Sequence, residues 1–190
     1  MKIVFATNNA HKLAEVSAVL GEGFELVTLK EVGITEDIPE TGETLDENAS
    51  IKARYVYDRT GLDCFADDTG LEVEALNGAP GVRSARYATD GHDFAANNRK
   101  LLNEMKDKKN RNARFRTVIS LIRSGVEQQV EGIVNGTIAT TEAGCGGFGY
   151  DPLFIPDGYQ TTFAEMSAEA KNSISHRGRA VAALTELLKK

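Results

Sequence analysis

The sequence predicts an α/β fold in a single domain over residues 1–190, and three observations predict it. The chain opens on an apolar run, a polar turn and an amphipathic segment, the pattern of a strand passing through a turn into a helix. Two alternating stretches, Phe115–Arg123 and Val126–Thr140, flank Ser124-Gly125 and read as an antiparallel hairpin. Around them lie segments of helical period with capping residues at their starts. At 190 residues the chain is long enough to bury a substantial core.

In chain order, Lys2–Ala6 reads as a short buried strand, Thr7-Asn8-Asn9-Ala10-His11-Lys12 as the turn, and Lys12–Leu20 as the helix. Leu13, Val16, Val19 and Leu20 form its apolar stripe, and Gly21 stops it. Such an entry aims backbone N–H groups at an anion. Thr7 is placed to cap the helix and Lys12 to reach a phosphate, although an ordinary capped turn with a surface lysine has the same pattern. Phe24–Leu29 reads as a second strand, and Glu31–Gly42, acidic and carrying Pro39, as a loop. Thr44 then caps a helix over Leu45–Asp58, with Glu47 at its third position as in a capping box. Ala49, Lys52, Ala53 and Val56 share one face of it, so Lys52 is either a snorkelling stem or a cation aimed into a cleft.

After Gly61 comes Phe65-Ala66-Asp67-Asp68-Thr69-Gly70-Leu71. Its flanks read as two strands, with Thr69-Gly70 as a tight passage between them. Side chains alternate along a strand, so Asp67 and Asp68 point to opposite sides. Paired acids in a turn are often only a solvated loop, but carboxylates at a strand end also hold magnesium or serve as a general base. The heptad alone leaves both readings open. Asn77–Arg83 is a loop leading to Ser84-Ala85-Arg86-Tyr87, where Arg83 and Arg86 either hold phosphate or solvate a surface. Phe94–Met105 reads as a helix with Leu101, Leu102 and Met105 inward, and Lys106–Arg114 as a basic, solvated loop.

Beyond the hairpin, four of the six residues 144–149 are glycine, which lets a backbone approach a ligand closely. Phe148 and Tyr150 offer flat faces on which a base can stack. Ser167–Lys171 reads as a short helical piece, and Ser175 as the cap of a final helix with His176, Arg177 and Arg179 in its first turns. Cations at a helix N-terminus oppose the dipole, and a bound anion there would account for them.

A net charge of −6 argues against a non-specific nucleic-acid binder, which would show a basic stripe. No apolar run approaches the ~20 residues that span a bilayer, and the N-terminal one is too short for a signal peptide. Cys64 and Cys145 are isolated and form no disulfide framework. The expectation is a cytoplasmic protein with neither nucleic acid nor membrane as partner.

Acids for magnesium, cations and amides for phosphates, and aromatics for a base together describe a nucleotide site. The same stretches resemble the inosine triphosphate pyrophosphatases, the Ham1-like family. The matching motifs are TNNAHK at Thr7–Lys12, PETGETLDENASIKA at Pro39–Ala53 and FADDTGLEVEALNGAPGVRSARYA at Phe65–Ala88. GGFGYDPLFIPDG at Gly146–Gly158 and AEMSAEAKNSISHRGRA at Ala164–Ala180 continue the likeness over essentially the whole chain. The resemblance implies a long curved mixed β-sheet with flanking helices, two lobes around a substrate cleft, and a homodimer. It implies magnesium-dependent hydrolysis of ITP, dITP, XTP or dXTP to the monophosphate and pyrophosphate, which clears deaminated purines from the nucleotide pool.

Residue by residue, the resemblance makes Asp68 the general base and, with Glu40, a magnesium ligand. Thr7, Asn8, Asn9, Ala10, His11, Lys12, Lys52, Thr69 and Lys171 fall to the substrate, with the three lysines neutralising the triphosphate. Phe148, Gly149, Tyr150 and Asp151 sandwich and read the base, and His176 and Arg177 contact its edge. Asp67 is the structural member of the acid pair. The family often has glycine where this chain has Asn8, and often serine where it has Thr69; asparagine tolerates left-handed φ and threonine keeps the hydroxyl. A Maf-type pyrophosphatase acting on pyrimidine or modified nucleotides is the nearest alternative, opposed by the Phe148–Asp151 and Ser175–Arg177 motifs. An aspartyl phosphatase and a non-catalytic nucleotide sensor are the others.

Overall fold

The computed structural model describes residues 1–190. Six strands, β1 (Lys2–Phe5), β2 (Glu25–Thr28), β3 (Cys64–Val73), β4 (Asn112–Arg123), β5 (Val126–Ile138) and β6 (Phe154–Pro156), form a mixed sheet in the order β2-β1-β3-β4-β5-β6. Five helices accompany them: α1 (Ala10–Leu20), α2 (Leu45–Thr60), α3 (Phe94–Met105), α4 (Ala168–Ile174) and α5 (His176–Leu188). The chain divides into two compact units, one of residues 1–68, 117–132 and 177–190, the other of residues 69–116 and 133–176.

In the first unit β1 runs parallel to β2 and to β3, with Val4 opposite Cys64 and Phe5 opposite Phe65. Ile3, Phe5 and Phe65 point to one face and pack on Val16 and Leu20 of α1 and on Val181 and Leu184 of α5. The Phe5 and Phe65 rings stack there with centroids 4.5 Å apart. Val4, Ala6, Cys64 and Ala66 point to the other face, against Ala53 and Val56 of α2. A parallel sheet covered on both faces needs apolar residues at successive positions, which is how β1 and the start of β3 read. Each large apolar side chain so buried contributes roughly 1.5–3 kcal/mol.

The second unit packs Leu101 and Met105 of α3 with Leu71, Val73, Phe115, Phe154 and Phe163. β6 pairs antiparallel with β5, Gly136 opposite Pro156. A Cβ at Gly136 would lie 2.2 Å from the Ile155 carbonyl oxygen, so only glycine permits this approach.

Several boundaries differ from the sequence expectation. Phe65–Leu71 is not two strands around a turn; β3 is continuous through Thr69-Gly70, because both faces are buried and the acids meet cations. β4 starts at Asn112, inside the expected basic loop, where Arg114 pairs with Glu72. The helix expected from Lys12 starts at Ala10, so its cap is Asn9 and not Thr7. Thr44 does cap α2 by accepting from the Glu47 amide, but the Glu47 carboxylate accepts from the Glu43 amide, so the reciprocal half of the box is displaced by one residue.

Candidate functional site

The first unit presents the acid pair at the carboxyl end of its parallel strands, where open α/β sheets collect ligand groups. Beyond Phe5, β1 opens into Thr7–Asn9 and the start of α1. Asn9 Oδ1 accepts from the amides of His11 at 2.9 Å and Lys12 at 3.2 Å, and Thr7 Oγ1 accepts from the Asn9 amide. Asn8 donates its side-chain amide to Asp37, while Ala10 and His11 lie exposed at the helix entry.

Strand alternation gives the two aspartates different neighbours. Asp67 shares the Phe65 face and meets residues from α1 and α5. Its Oδ1 lies 3.0 Å from Lys12 Nζ, and its Oδ2 lies 3.4 Å from both Nε and Nη2 of Arg177. Arg177 Nη1 donates to Glu15 of α1. Burial pushes the Asp67 carboxyl up, but Lys12 and Arg177 outweigh it and hold the group well below the usual carboxylate range. Burial likewise draws the Lys12 ammonium below its ordinary value, with Asp67 opposing.

Asp68 shares the Ala66 face and meets Lys52 of α2. Lys52 Nζ lies 3.7 Å from Asp68 Oδ1 and 2.7 Å from Glu40 Oε1. Burial raises the Asp68 carboxyl above its ordinary value against the pull of Lys52 and Lys12. For Lys52, burial acts downward, yet Asp68, Glu40 and Asp67 together keep it protonated, shifted upward. The sequence reads Lys52 as a snorkelling stem or a cation aimed into a cleft; its ammonium is buried and paired with two carboxylates, so it does not snorkel. Glu40 and Asp68 are thus gathered about the Lys52 ammonium, and their carboxylates are hard oxygen donors of the kind a divalent cation takes. No cluster of three metal-ligating side chains occurs. Two carboxylates suit magnesium, which keeps much of its shell as water or substrate oxygen.

In the second unit the glycine loop folds back on itself. Asp151 Oδ2 accepts from the Phe148 amide at 3.1 Å and from Lys171 Nζ at 2.6 Å. Lys171 lies 5.0 Å from the Phe148 ring centroid, so the cation expected among the phosphate-binding lysines is paired beside an aromatic face. Gly147 has φ +66°, and a Cβ there would come within 2.1 Å of Asp151 Oδ2. Tyr150 is buried with its hydroxyl donated to the Ser84 carbonyl at 2.6 Å; burial pushes that hydroxyl's pKa up, and Phe148 is the more open ring. His176 is buried and stacks on Phe115 at 4.5 Å. Thr69, half-buried, begins this unit's share of β3.

The structure therefore gathers Lys12, Lys52, Glu40, Asp68 and Arg177 in the first unit, and Phe148, Gly149, Tyr150, Asp151, Lys171 and His176 in the second. Glu15 and Asn98 were not anticipated. Glu15 stands three residues after Lys12 on α1, which places both on one side of the helix and is the signal that would have found it.

The model of the Ham1 family matches residues 3–187. The dITP/XTP pyrophosphatase of Porphyromonas gingivalis is 55% identical over 98% of this chain and 97% of its own length. That of Flavobacterium psychrophilum is 51% identical over the full length of both chains. Among solved structures, a HAM1 protein from Coxiella burnetii superposes with a TM-score of 0.92 at 40% identity, covering 100% of this chain and 98% of that one. The Ham1 protein of Staphylococcus aureus gives 0.91 at 38% identity with the same coverage.

Proposed function

Since the chain belongs to the Ham1 family, we propose that it hydrolyses the triphosphates of deaminated purines, ITP, dITP, XTP and dXTP, to the monophosphate and pyrophosphate. The observation that carries this is the buried Asp68 sharing Lys52 with Glu40, in a chain that also holds the Phe148–Asp151–Lys171 group. In this reading Glu40 and Asp68 hold magnesium, which when bound would neutralise phosphate charge. Asp68 takes the proton of the attacking water as its general base. Lys12 and Lys52 balance the charge of the triphosphate, and the turn from Thr7 to His11 lies against its oxygens.

The base falls to the second unit's residues. Phe148 stacks on it, and Asp151 and Lys171, fixed by each other, face its polar edge together with His176. A keto group at position six accepts where adenine's amino group donates, so a donor facing it favours hypoxanthine and xanthine. We also infer a cytoplasmic homodimer in which residues 1–190 serve a single activity. The free cysteines suit a reducing compartment, and no helix is long and apolar enough to cross a membrane.

The test is direct. Purified protein with magnesium should convert ITP and XTP to monophosphate plus pyrophosphate, with ATP and GTP much poorer. Orthophosphate as first product, or equal rates on ATP, would overturn it. A Maf-type activity would show instead as preference for pyrimidine or modified nucleotides.

A further inference from the structure

The Phe148–Asp151 segment lies outside the helices and strands, and Gly149 within it has φ +60°. Besides the bonds of Asp151 to Phe148 and Lys171, it is supported by α3. Phe94 and Asn98 stand one turn apart on one side of that helix. They meet consecutive residues of the loop: the Phe94 ring lies 6.1 Å from the Phe148 ring, and Asn98 Nδ2 donates to the Gly149 carbonyl at 3.1 Å. Asn97 turns the other way and ties Ala85 and Ala88, next to the Ser84 carbonyl that receives the Tyr150 hydroxyl. Gly149 and Tyr150 are thereby held from two sides.

Asn98 is only 4% exposed, and its Oδ1 is buried with no donor in reach. A space-filling role would be better served by leucine, which has the same bulk and leaves no acceptor unmet. What the amide contributes is its N–H, which it donates to Gly149.

We propose that Asn98, aided by Phe94, is a positioning residue that sets the loop carrying Phe148 and so determines how strongly the enzyme distinguishes one base from another. The proposal rests on the reading of Phe148–Asp151 as the base-binding segment. Asn98 acts through the Gly149 carbonyl and the Phe148 ring, without touching substrate.

The experiment compares Asn98→Leu, which keeps the bulk but loses the donor, and Asn98→Asp, which turns the donor into an acceptor facing the Gly149 carbonyl, with the parent protein. KM and kcat are measured for ITP and ATP, with calorimetric binding of IMP as a probe of the base end and of pyrophosphate as a probe of the other end. Loss of one positioning hydrogen bond should raise KM for ITP about tenfold and weaken IMP by a similar factor. Pyrophosphate binding should stay unchanged, kcat on ITP should change less than about threefold, and the ITP-to-ATP ratio of kcat/KM should fall. Unchanged KM and IMP affinity, whatever the melting temperature does, would overturn the role of Asn98. If both variants fail to fold, the half-buried Phe94→Ala carries the same test: the same rise in KM is expected, and an unchanged KM overturns the proposal. A parent protein that neither binds IMP nor turns over ITP would remove the base-binding reading and this proposal together, whereas an active parent matched by its variants removes this proposal alone.

Discussion

Asp67 and Arg177 are among the most deeply buried charges in the chain, at 1% and 2% exposure. Each survives there only through its partners, since an uncompensated buried charge costs several kcal/mol. Arg177 divides its guanidinium between Asp67 and Glu15, and the contact with Glu15 joins α5 to α1. Arg177→Ala leaves two carboxylates facing each other in its place and should lower stability by about 3–5 kcal/mol, read by urea unfolding. If Arg177 also reads the base, the ITP-to-ATP rate ratio falls as well, by the on the order of 1–3 kcal/mol that one buried donor contributes. An unchanged ratio beside a large loss of stability would confine the residue to structure. The sequence named Arg177 for its place in a motif; its pairing with Glu15 and Asp67 is a long-range fact that no local pattern encodes.

At the scale of elements, legibility followed the strength of local signals. Phe94–Met105 is read with the observed bounds from its helical period, and in the structure Asp93 caps it by accepting from the Ala96 amide. Thr44 likewise announces α2, whose Lys52 reaches Glu40 and Asp68. Thr44→Ala removes that cap and should cost about 1 kcal/mol, seen as a lower urea midpoint, while turnover on ITP stays near the parent's because Lys52 lies two turns further on. Turnover lost in proportion to the shift would mean that the helix start governs the site. Elements without a local signal were missed. β6 has three residues, and the register that makes it a strand is supplied by β5. Adjacent acids followed by Thr-Gly look like a turn; β3 continues through them because Lys12, Arg177 and Lys52 supply the compensating charges from other elements.

For the whole molecule, the α/β class and the opposite orientation of the two aspartates follow from period alone. Which side each serves does not. The helices covering each face decide that: α1 and α5 bring Lys12 and Arg177 to Asp67, and α2 brings Lys52 to Asp68. In the proposed mechanism, two residues alike in chemistry and adjacent in sequence have two tasks, one in holding the unit together and one in catalysis. The decisive measurement sets Asp67→Asn beside Asp68→Asn, with turnover on ITP across a magnesium titration and thermal melts in parallel. Asp68→Asn should melt near the parent protein and lose roughly 10²–10⁴ in rate, with weaker response to magnesium. Asp67→Asn should melt markedly lower and keep more of its activity at a permissive temperature. If Asp67→Asn is instead the inactive protein and Asp68→Asn recovers at high magnesium, the two roles are reversed; if both stay active, this acid pair is not the catalytic centre.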